Sequence, residues 1–482
     1  MAADADLRAD LGRLVRQLLT ESGTAGPRVA DEIQRHLGVE VGQLPVHGEE
    51  LASFELANLQ LGLDAALAQP GTTARVLGLG GHMHRFAAIS LSDLMMGPDF
   101  AVGPPEYVHE PIGPDETLAC LASALLLVTS PYGPLVVLVR RGEQHGPVPG
   151  LMVQAAGRDE GAAPRFLAEL RRLMHERDVF RGRVITIEAD RRGGRSVVFL
   201  ERPHMERDEL VLPDGLLDRV ERHVLEPTRH RDELLALERH LGRGLLLWGP
   251  PGTGKTHTVR YLTSRLEGAT VIILSGPSLG MVGAFGNLAR RLAPSVVVLE
   301  DVDLVAQERA FGPFGSSPAL FELMNEMSGL AADADVAFVL TTNRPDALEP
   351  ALAARPGRVD LAVEIPLPHE RERRRLLDLY ARGLPLDGVD LDAIVERTDG
   401  MTASFFKELL RKAAVAAVAD GRMAVTSGDV EAALAELLDE TAALTRMLLS
   451  GQPAAAGTVL PPAHAWMQAP PQISVRAFGH SG

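Results

Sequence analysis

A glycine-rich stretch with one lysine is the feature of this sequence best suited to chemistry. It reads Gly249-Pro250-Pro251-Gly252-Thr253-Gly254-Lys255-Thr256 and fits the pattern G-x-x-x-x-G-K-[ST]. Glycines permit positive φ, so that successive backbone N–H groups can point toward phosphate oxygens, and a following helix adds the positive end of its dipole. Lys255 supplies a charge for the β- and γ-phosphates, and the Thr256 hydroxyl can ligate Mg²⁺. We therefore assign this loop, together with His257, to the binding of ATP and Mg²⁺.

Two acidic residues follow an apolar run downstream of the loop. Ser295–Leu299 predicts a buried strand, and Glu300 and Asp301 come directly after it. Ligands of an open parallel sheet bind at the carboxyl ends of its strands. These acids are therefore expected near the phosphates, where Mg²⁺ and an attacking water need carboxylates. Considered alone, the same residues would also suit an acidic loop after a buried strand.

A third group of polar residues follows the next apolar strand, Val336–Thr342. The strand ends at Asn343, whose amide can orient the hydrolytic water or sense the γ-phosphate, although Asn343–Asp346 also has the composition of a turn. Arg355 and Arg358 flank a Pro-Gly turn, and a planar guanidinium can spread the charge of a transferring phosphoryl group over two oxygens. For either arginine alone, solvation of the surface would be the simpler interpretation.

The elements that must position these residues can be predicted from apolar periodicity. Beyond residue 243, strands and helices alternate in the order typical of a parallel sheet, with an apolar strand Leu245–Trp248 before the loop and a helix His257–Leu266 after it. The segment 206–240 is charged and helical. The run 371–440 is helical throughout by pattern.

The N-terminal half predicts two further regions. Residues 1–110 are interpreted as mainly helical, beginning with a helix in the first 22 residues. Residues 111–205 are interpreted as a separate mixed α+β module. Its predicted elements are a hairpin of Leu125–Val128 with Leu135–Val139, a helix around Phe166–Met174, and strands at Val184–Glu188 and Val197–Leu200.

Composition limits the class of protein. The 482 residues carry 48 basic and 64 acidic side chains, a net charge of -16, which argues against a duplex-binding surface. The single cysteine, Cys120, forbids an internal disulfide and fits a reducing cytoplasm. No apolar stretch approaches the roughly 18 residues of a spanning helix, and the acidic N-terminus does not resemble a secretory signal, so we expect a cytoplasmic protein without a membrane partner. The abundance of arginine over lysine is typical of a GC-rich bacterial genome.

Several of these segments together resemble the AAA ATPase family over about residues 208–440. They are GPPGTGKT, VVVLEDVD, TTNRPDALEPALAARPGRVD and GMTASFFKELLRKAAVAA. The resemblance implies that Gly249–Thr256 is the Walker A loop, that Glu300 and Asp301 are the Walker B acids and that Asn343 is sensor 1. It implies that Arg355 and Arg358 are paired arginine fingers. Family members work as rings, usually hexamers, in which such fingers reach the nucleotide of the neighbouring subunit.

The predicted fold class is thus an α/β P-loop parallel-sheet ATPase domain with an all-helical lid, preceded by helical and mixed α+β N-terminal domains. The predicted boundaries are 1–110 and 111–205 for the N-terminal regions, 206–370 for the large ATPase subdomain, 371–445 for the lid and 446–482 for a Pro-, Ala- and Gly-rich disordered tail.

The acidic pair departs from the family pattern, because the usual order is Asp followed by Glu. Successive strand residues point to opposite sides, so the exchange alters side-chain lengths without exchanging roles. We assign Glu300 to the Mg²⁺ shell and Asp301 to polarising the water. Asp301 is one methylene shorter than the usual residue, and we therefore expect modest turnover.

Other departures concern the branch of the family. Threading members carry an aromatic pore residue where this chain has Met281-Val282. Phe311 and Phe314 are an alternative pore lining, although a surface loop suits them better. Ala403-Ser404 stands where other P-loop branches have an arginine sensor, which favours the remodelling branch. The chain has no HExxH motif of a zinc protease, and His82 and His84 lack companions for a metal site.

The leading hypothesis is a ring-forming ATPase that remodels or unfolds a protein partner chosen by residues 1–205. In this hypothesis Lys255, Mg²⁺ and the neighbour's Arg355 and Arg358 stabilise the charge of the transferring phosphoryl group, while Asp301 and Asn343 orient the water. One alternative is a nucleotide-gated assembly scaffold with slow turnover. The other is a nucleic-acid translocase or loader, which the acidic composition disfavours.

Overall fold

The computed structural model describes residues 27–80, 89–97, 100–141, 150–189, 195–303, 334–345 and 359–438. These residues form two compact units. The first contains the described parts of 27–210, 214–248 and 255–364, and the second contains 211–213, 249–254 and 365–438.

An antiparallel sheet of seven strands forms the N-terminal part of the first unit. Its strands run in the order β1-β7-β6-β5-β2-β3, and β4 pairs with β5 outside this path. The bounds are β1 His47–Leu51, β2 Thr73–Gly80, β3 Ala101–Gly103, β4 Glu106–Pro111, β5 Thr117–Ser130, β6 Gly133–Arg141 and β7 Leu151–Gly157. The predicted hairpin is β5 with β6, which pair antiparallel from Ser123 to Ser130.

Helices cover both faces of this sheet. Helices α2 (Leu56–Leu67) and α4 (Ala162–Glu176) share one apolar core with Leu126 and its alternate neighbours on β5. Helices α1 (Val29–Leu37) and α3 (Leu91–Met96) share a second core with residues of β5 that point the other way. Coverage on both faces explains why β5 and β6 are continuous apolar runs rather than alternating ones.

A second sheet of seven strands forms the other part of the first unit. Its order is β14-β10-β13-β12-β11-β8-β9, and every neighbouring pair is parallel except β8 with β9. The bounds are β8 Val184–Ala189, β9 Arg195–Leu200, β10 Arg243–Trp248, β11 Thr270–Ser275, β12 Ser295–Glu300, β13 Val336–Thr342 and β14 Leu361–Glu364. The helices of this region are α5 Leu216–Val224, α6 Glu226–Arg229, α7 Arg231–Ala236, α8 Lys255–Arg265 and α9 Val282–Arg291. The predicted parallel-sheet architecture is confirmed.

The two sheets do not follow the boundaries predicted at residues 110 and 205. Strands β1 to β4, in the region expected to be mainly helical, belong to the same sheet as β5 to β7. Strands β8 and β9, expected in the mixed module of 111–205, extend the second sheet through the pairing of β8 with β11. Periodicity identifies a strand and its buried face, but not the distant strand with which it pairs.

A buried ion pair ties the segment before β10 to the second sheet. The Arg243 guanidinium donates to a carboxylate oxygen of Asp335 at 2.7 Å and to the carbonyl oxygens of Val224 and Leu241. Both charged side chains are at most 5% exposed. Because every donor here reaches an oxygen, the charge is tolerated in the interior, and the end of α5 is held against the sheet.

A second buried cluster joins the N-terminal sheet region to α9. The Arg291 guanidinium donates to Glu55 at 2.6 Å and to Asp178 at 2.7 Å, and both carboxylates are buried. One helical turn and a half earlier, Phe285 stacks on Phe54 with ring centroids 5.2 Å apart. The helix that follows β11 is therefore fixed at two points to elements of the N-terminal region.

The second unit is mainly helical. Its helices are α10 Glu370–Tyr380, α11 Leu391–Arg397, α12 Ala403–Ala419 and α13 Ser427–Leu438, and they share an apolar core around Phe406 and Leu409. The all-helical prediction for this region missed only one small element, the parallel pair β15 (Leu386–Asp387) and β16 (Val425–Thr426). Throughout the described residues, each helix is too short or too polar to cross a bilayer.

The Arg291 cluster makes a testable prediction about stability. Arg291→Met removes the shared partner of two buried carboxylates, and we expect it to lower the free energy of unfolding by about 3 kcal/mol. Arg290→Met, one residue earlier on α9, should change it by no more than about 0.5 kcal/mol. Urea denaturation followed by circular dichroism measures both. Equal midpoints for the two variants would show that the cluster does not contribute to stability.

Candidate functional site

The phosphate-binding loop has the backbone conformation that its glycines predict. Between β10 and α8, Gly249, Gly252 and Gly254 have φ values of 145°, 78° and 118°. The Thr253 hydroxyl closes the turn by donating to the carbonyl oxygen of Pro250 at 2.9 Å. Positive φ in such a loop turns backbone N–H groups toward one side, where phosphate oxygens can accept hydrogen bonds.

Two of these glycines are also required by close contacts in the second unit. A Cβ at Gly249 would lie 2.2 Å from the carbonyl oxygen of Ile365, and a Cβ at Gly252 would lie 2.3 Å from Oγ of Ser404. The Ser404 N–H donates to the Gly252 carbonyl oxygen at 3.1 Å. Ser404, in the first turn of α12, thus contacts the loop directly.

The parallel register brings the predicted acids and the predicted amide to one edge of the second sheet. Leu299 of β12 is paired with Leu340 of β13, so the residues after both strands emerge side by side. The Asn343 amide nitrogen donates to Oδ1 of Asp301 at 3.4 Å. The structure therefore joins two residues that the sequence assigned to the same water.

Glu300 and Thr256 form the second contact at this edge. The Thr256 hydroxyl donates to the Glu300 carboxylate. Burial raises the pKa of Glu300, the hydrogen bond from Thr256 opposes that shift, and the charge of Asp301 adds to it. A hydroxyl and a carboxylate in contact are the hard oxygen donors that Mg²⁺ prefers, so these two residues fit the cation.

The donor set also agrees with the way Mg²⁺ is usually bound. Within the described ranges, no cluster of three or more His, Cys, Asp or Glu residues could enclose a metal by itself. A Mg²⁺ ion commonly takes one or two carboxylates from the protein and completes its shell with water and substrate phosphates. The pair Thr256 and Glu300 matches that pattern.

Lys255 places a buried cation near the acids. Lys255 begins α8 and is only 6% exposed. Burial lowers the pKa of the ammonium group to about 8, and the nearby Asp301 and Asp303 carboxylates oppose the shift. A phosphate chain would favour the charged form further, because it adds negative charge where water is excluded. His257 lies in the same first turn of α8.

Three polar residues at this edge were not assigned a role from the sequence. The Asp301 N–H donates to Oγ1 of Thr341 at 3.0 Å. The Thr342 hydroxyl donates to Oδ1 of Asp303 at 2.9 Å, and the Asn343 N–H donates to the same oxygen at 3.3 Å. The sequence offered two signals for these residues. One is the pair of threonines at the end of an otherwise apolar strand, and the other is a second Asp two residues after Asp301.

The stretch matching the pore position packs inward. Val282 begins α9 and is 1% exposed, and Met281 is half-buried against the core of the second sheet. Val282 is therefore withdrawn from solvent, and Met281 is exposed only in part.

The remaining predicted residues lie outside the described residues. They are the arginines Arg355 and Arg358, the alternative pore residues Phe311 and Phe314, the histidines His82 and His84, the first helix and the C-terminal tail.

Comparison with known proteins finds family matches in the same region of the chain. Residues 245–367 match the family model "ATPase family associated with various cellular activities (AAA)", and residues 388–432 match the AAA+ lid domain. The chain is 28% identical over 261 residues to the proteasome-activating nucleotidase of Thermococcus onnurineus, a match that covers 52% of this chain and 65% of that protein.

Two other relatives cover similar parts of the chain. The 26S proteasome regulatory subunit 8 homolog of Schizosaccharomyces pombe is 32% identical over 235 residues, 45% of this chain and 58% of that protein. The ATP-dependent zinc metalloprotease FtsH of Thermus thermophilus is 33% identical over 225 residues, 44% of this chain and 36% of that protein. The chain thus spans less than two thirds of the length of each of these relatives.

The conformation of the loop can be tested at Gly252. Gly252→Ala places a Cβ on a left-handed residue and against Ser404, so we expect nucleotide affinity to fall about tenfold or more. Gly428→Ala is the matched control, because its Cβ would meet only Oγ1 of Thr426 at 3.7 Å. Titration with a fluorescent ATP analogue measures both. Equal affinity for the two variants would show that this backbone conformation is not needed for binding.

Proposed function

We propose that this chain, which carries an AAA ATPase domain and an AAA+ lid, binds ATP with Mg²⁺ and hydrolyses it to remodel or unfold a protein. The observation that carries the proposal is the gathering of Lys255, Thr256, Glu300, Asp301 and Asn343 at the carboxyl ends of β10, β12 and β13. Each of the five side chains has a distinct use in phosphoryl transfer.

Binding is the task of the loop and of three side chains. The backbone N–H groups of the loop and the Lys255 ammonium hold the phosphate oxygens of ATP. Thr256 and Glu300 would hold Mg²⁺, whose charge offsets that of the β- and γ-phosphate oxygens when it is bound. The buried position of Lys255 strengthens its attraction for phosphate, because little water competes.

Hydrolysis is the task of Asp301 and Asn343. The Asp301 carboxylate accepts a hydrogen bond from a water molecule and directs the water oxygen at the γ-phosphorus, and the Asn343 amide fixes that carboxylate. As the new P–O bond forms, the bond to the β-phosphate oxygen breaks, and ADP and phosphate leave. The water proton passes to Asp301 or to the phosphate.

Assembly into a ring supplies the remaining charges. We assign Arg355 and Arg358 to the nucleotide of the neighbouring subunit, where their guanidinium groups offset the charge of the transferring phosphoryl group. The preferred assembly is a homohexamer. The names of two relatives associate them with the proteasome, and one is named a protease, which supports a protein as the substrate here. Residues 1–205 would select that substrate, and the single cysteine fits work in a reducing cytoplasm.

A slowly hydrolysing, nucleotide-gated scaffold is the second candidate. The burial of Val282 and the partial burial of Met281 favour it, because both reduce the apolar surface available to grip a threaded chain. The two candidates differ in turnover. A remodelling machine should hydrolyse ATP continuously, and an added unfolded protein should stimulate it, whereas a scaffold should release little phosphate after the first turnover.

Asp301→Asn tests the catalytic assignment. The amide cannot accept a proton, so we expect hydrolysis to fall about 100-fold or more, whereas ATP affinity should change less than about threefold. Asp115→Asn, in an exposed turn before β5, is the control and should match the parent in both. Phosphate release and nucleotide titration are the measurements. Parental turnover in Asp301→Asn would contradict the role of this carboxylate.

Mixing two inactive variants tests the shared site. One variant is Asp301→Asn and the other combines Arg355→Ala with Arg358→Ala. In a randomly mixed ring, an intact cradle meets intact arginines at about a quarter of the interfaces, so about a quarter of the parental activity should return. A mixture no more active than its components would show that the arginines do not act across subunits.

A further inference from the structure

Asp301 has a backbone conformation that few side-chain-bearing residues adopt. Its φ is +51°, and among the described residues only Glu238 shares a positive φ without being glycine. The left-handed region is unfavourable for most L-residues and least so for Asn and Asp, whose short polar side chains tolerate it. Such outliers persist where surrounding contacts hold them, and they are common at active sites.

Thr341 supplies the contacts that hold this conformation. Its side-chain oxygen Oγ1 accepts the Asp301 N–H at 3.0 Å, and its carbonyl oxygen accepts the Val302 N–H at 3.0 Å. Thr341 is 1% exposed at the end of β13, and Val302 is 3% exposed in the core. Two successive N–H groups are thus fixed on one residue of the neighbouring strand.

Asp303 fixes the other end of the same turn. Its Oδ1 accepts hydrogen bonds from the Thr342 hydroxyl at 2.9 Å and from the Asn343 N–H at 3.3 Å. Asp303 is 4% exposed and Thr342 is fully buried. The turn of residues 301–303 is therefore fastened to β13 on both sides of Val302, and the backbone of Asn343 is held by the same carboxylate.

We propose that Thr341 and Asp303 are positioning residues for hydrolysis, which hold Asp301 in the left-handed conformation and set its carboxylate beside the Asn343 amide. This inference rests on the proposed ATPase function and adds to it the means by which a short carboxylate is placed. Their hydrogen bonds reach the backbone of Asp301 and Asn343. Both act through Asp301 and Asn343.

The same geometry accounts for Asp rather than Glu at this position. Glutamate is less tolerant than aspartate of positive φ. A longer side chain would also carry its carboxylate past the place where Asn343 now contacts it at 3.4 Å. Restoring the length usual in the family should therefore impair this enzyme rather than improve it.

Substitutions at Thr341 test the positioning role. Thr341→Val keeps the shape of the side chain but removes Oγ1, and we expect kcat to fall about tenfold while KM and ATP affinity stay within about twofold. Thr341→Ser restores the hydroxyl and should recover most of kcat. Thr398→Val is the control, because Thr398 is a similarly buried threonine at the C-terminal end of α11 whose hydroxyl donates to the carbonyl oxygens of Ile394 and Val395. Parental kcat in Thr341→Val, or equal loss of kcat in the Val and Ser variants, would overturn the proposal.

Substitutions at Asp301 test the conformation without relying on turnover. Asp301→Asn tolerates positive φ and should melt within about 1 °C of the parent, whereas Asp301→Glu should melt about 1–2 °C lower. Equal melting temperatures for the two variants would overturn the conformational argument. A parent that binds ATP but does not hydrolyse it would instead contradict the proposed function, and the melting comparison would still decide whether the left-handed turn is held as described.

Discussion

The parallel pairing of β10, β13 and β12 is the constraint on which the rest of the site depends. These strands are buried on both faces, so their interior positions are apolar and polar residues lie at the strand ends, with Arg243 and Ser295 at amino ends and Thr341 and Thr342 at a carboxyl end. Since the register aligns the carboxyl ends, the acids at the end of β12 and the amide after β13 emerge side by side. At the amino ends the charge of Arg243 is paired with Asp335, whereas the carboxyl ends present Glu300, Asp301 and Asn343.

Polar residues buried at that edge have to satisfy one another. Thr341, Thr342 and Asp303 are almost completely excluded from water, and each has a hydrogen-bond partner in the adjoining strand end. An unpaired polar group in this setting would cost the full energy of its lost hydration. The network therefore satisfies these buried groups and at the same time holds the backbone of Asp301 and Asn343.

The N-terminal region is built into the ATPase sheet rather than attached beside it. Strands β8 and β9 extend the sheet, and the carboxylates of Glu55 and Asp178 share the guanidinium of Arg291 on α9. Helix α9, which follows β11, is therefore joined through Arg291 to buried charges of the N-terminal region. The described elements of the N-terminal region are thus fixed to the sheet whose strands carry the acids.

The sequence by itself determined the loop, the strand ends and the helical second unit, because these depend on local properties. Glycines such as Gly252 and Gly254 permit a positive φ whatever surrounds them, and apolar periodicity identifies a buried strand or helix. Only the tertiary structure decided that β1 to β4 share the sheet of β5, that β8 joins β11, and that Thr341 holds the Asp301 N–H. Each of these features depends on hydrogen bonds between residues far apart in the chain. A local sequence pattern indicates that a group is buried, but not which distant group forms its hydrogen bond.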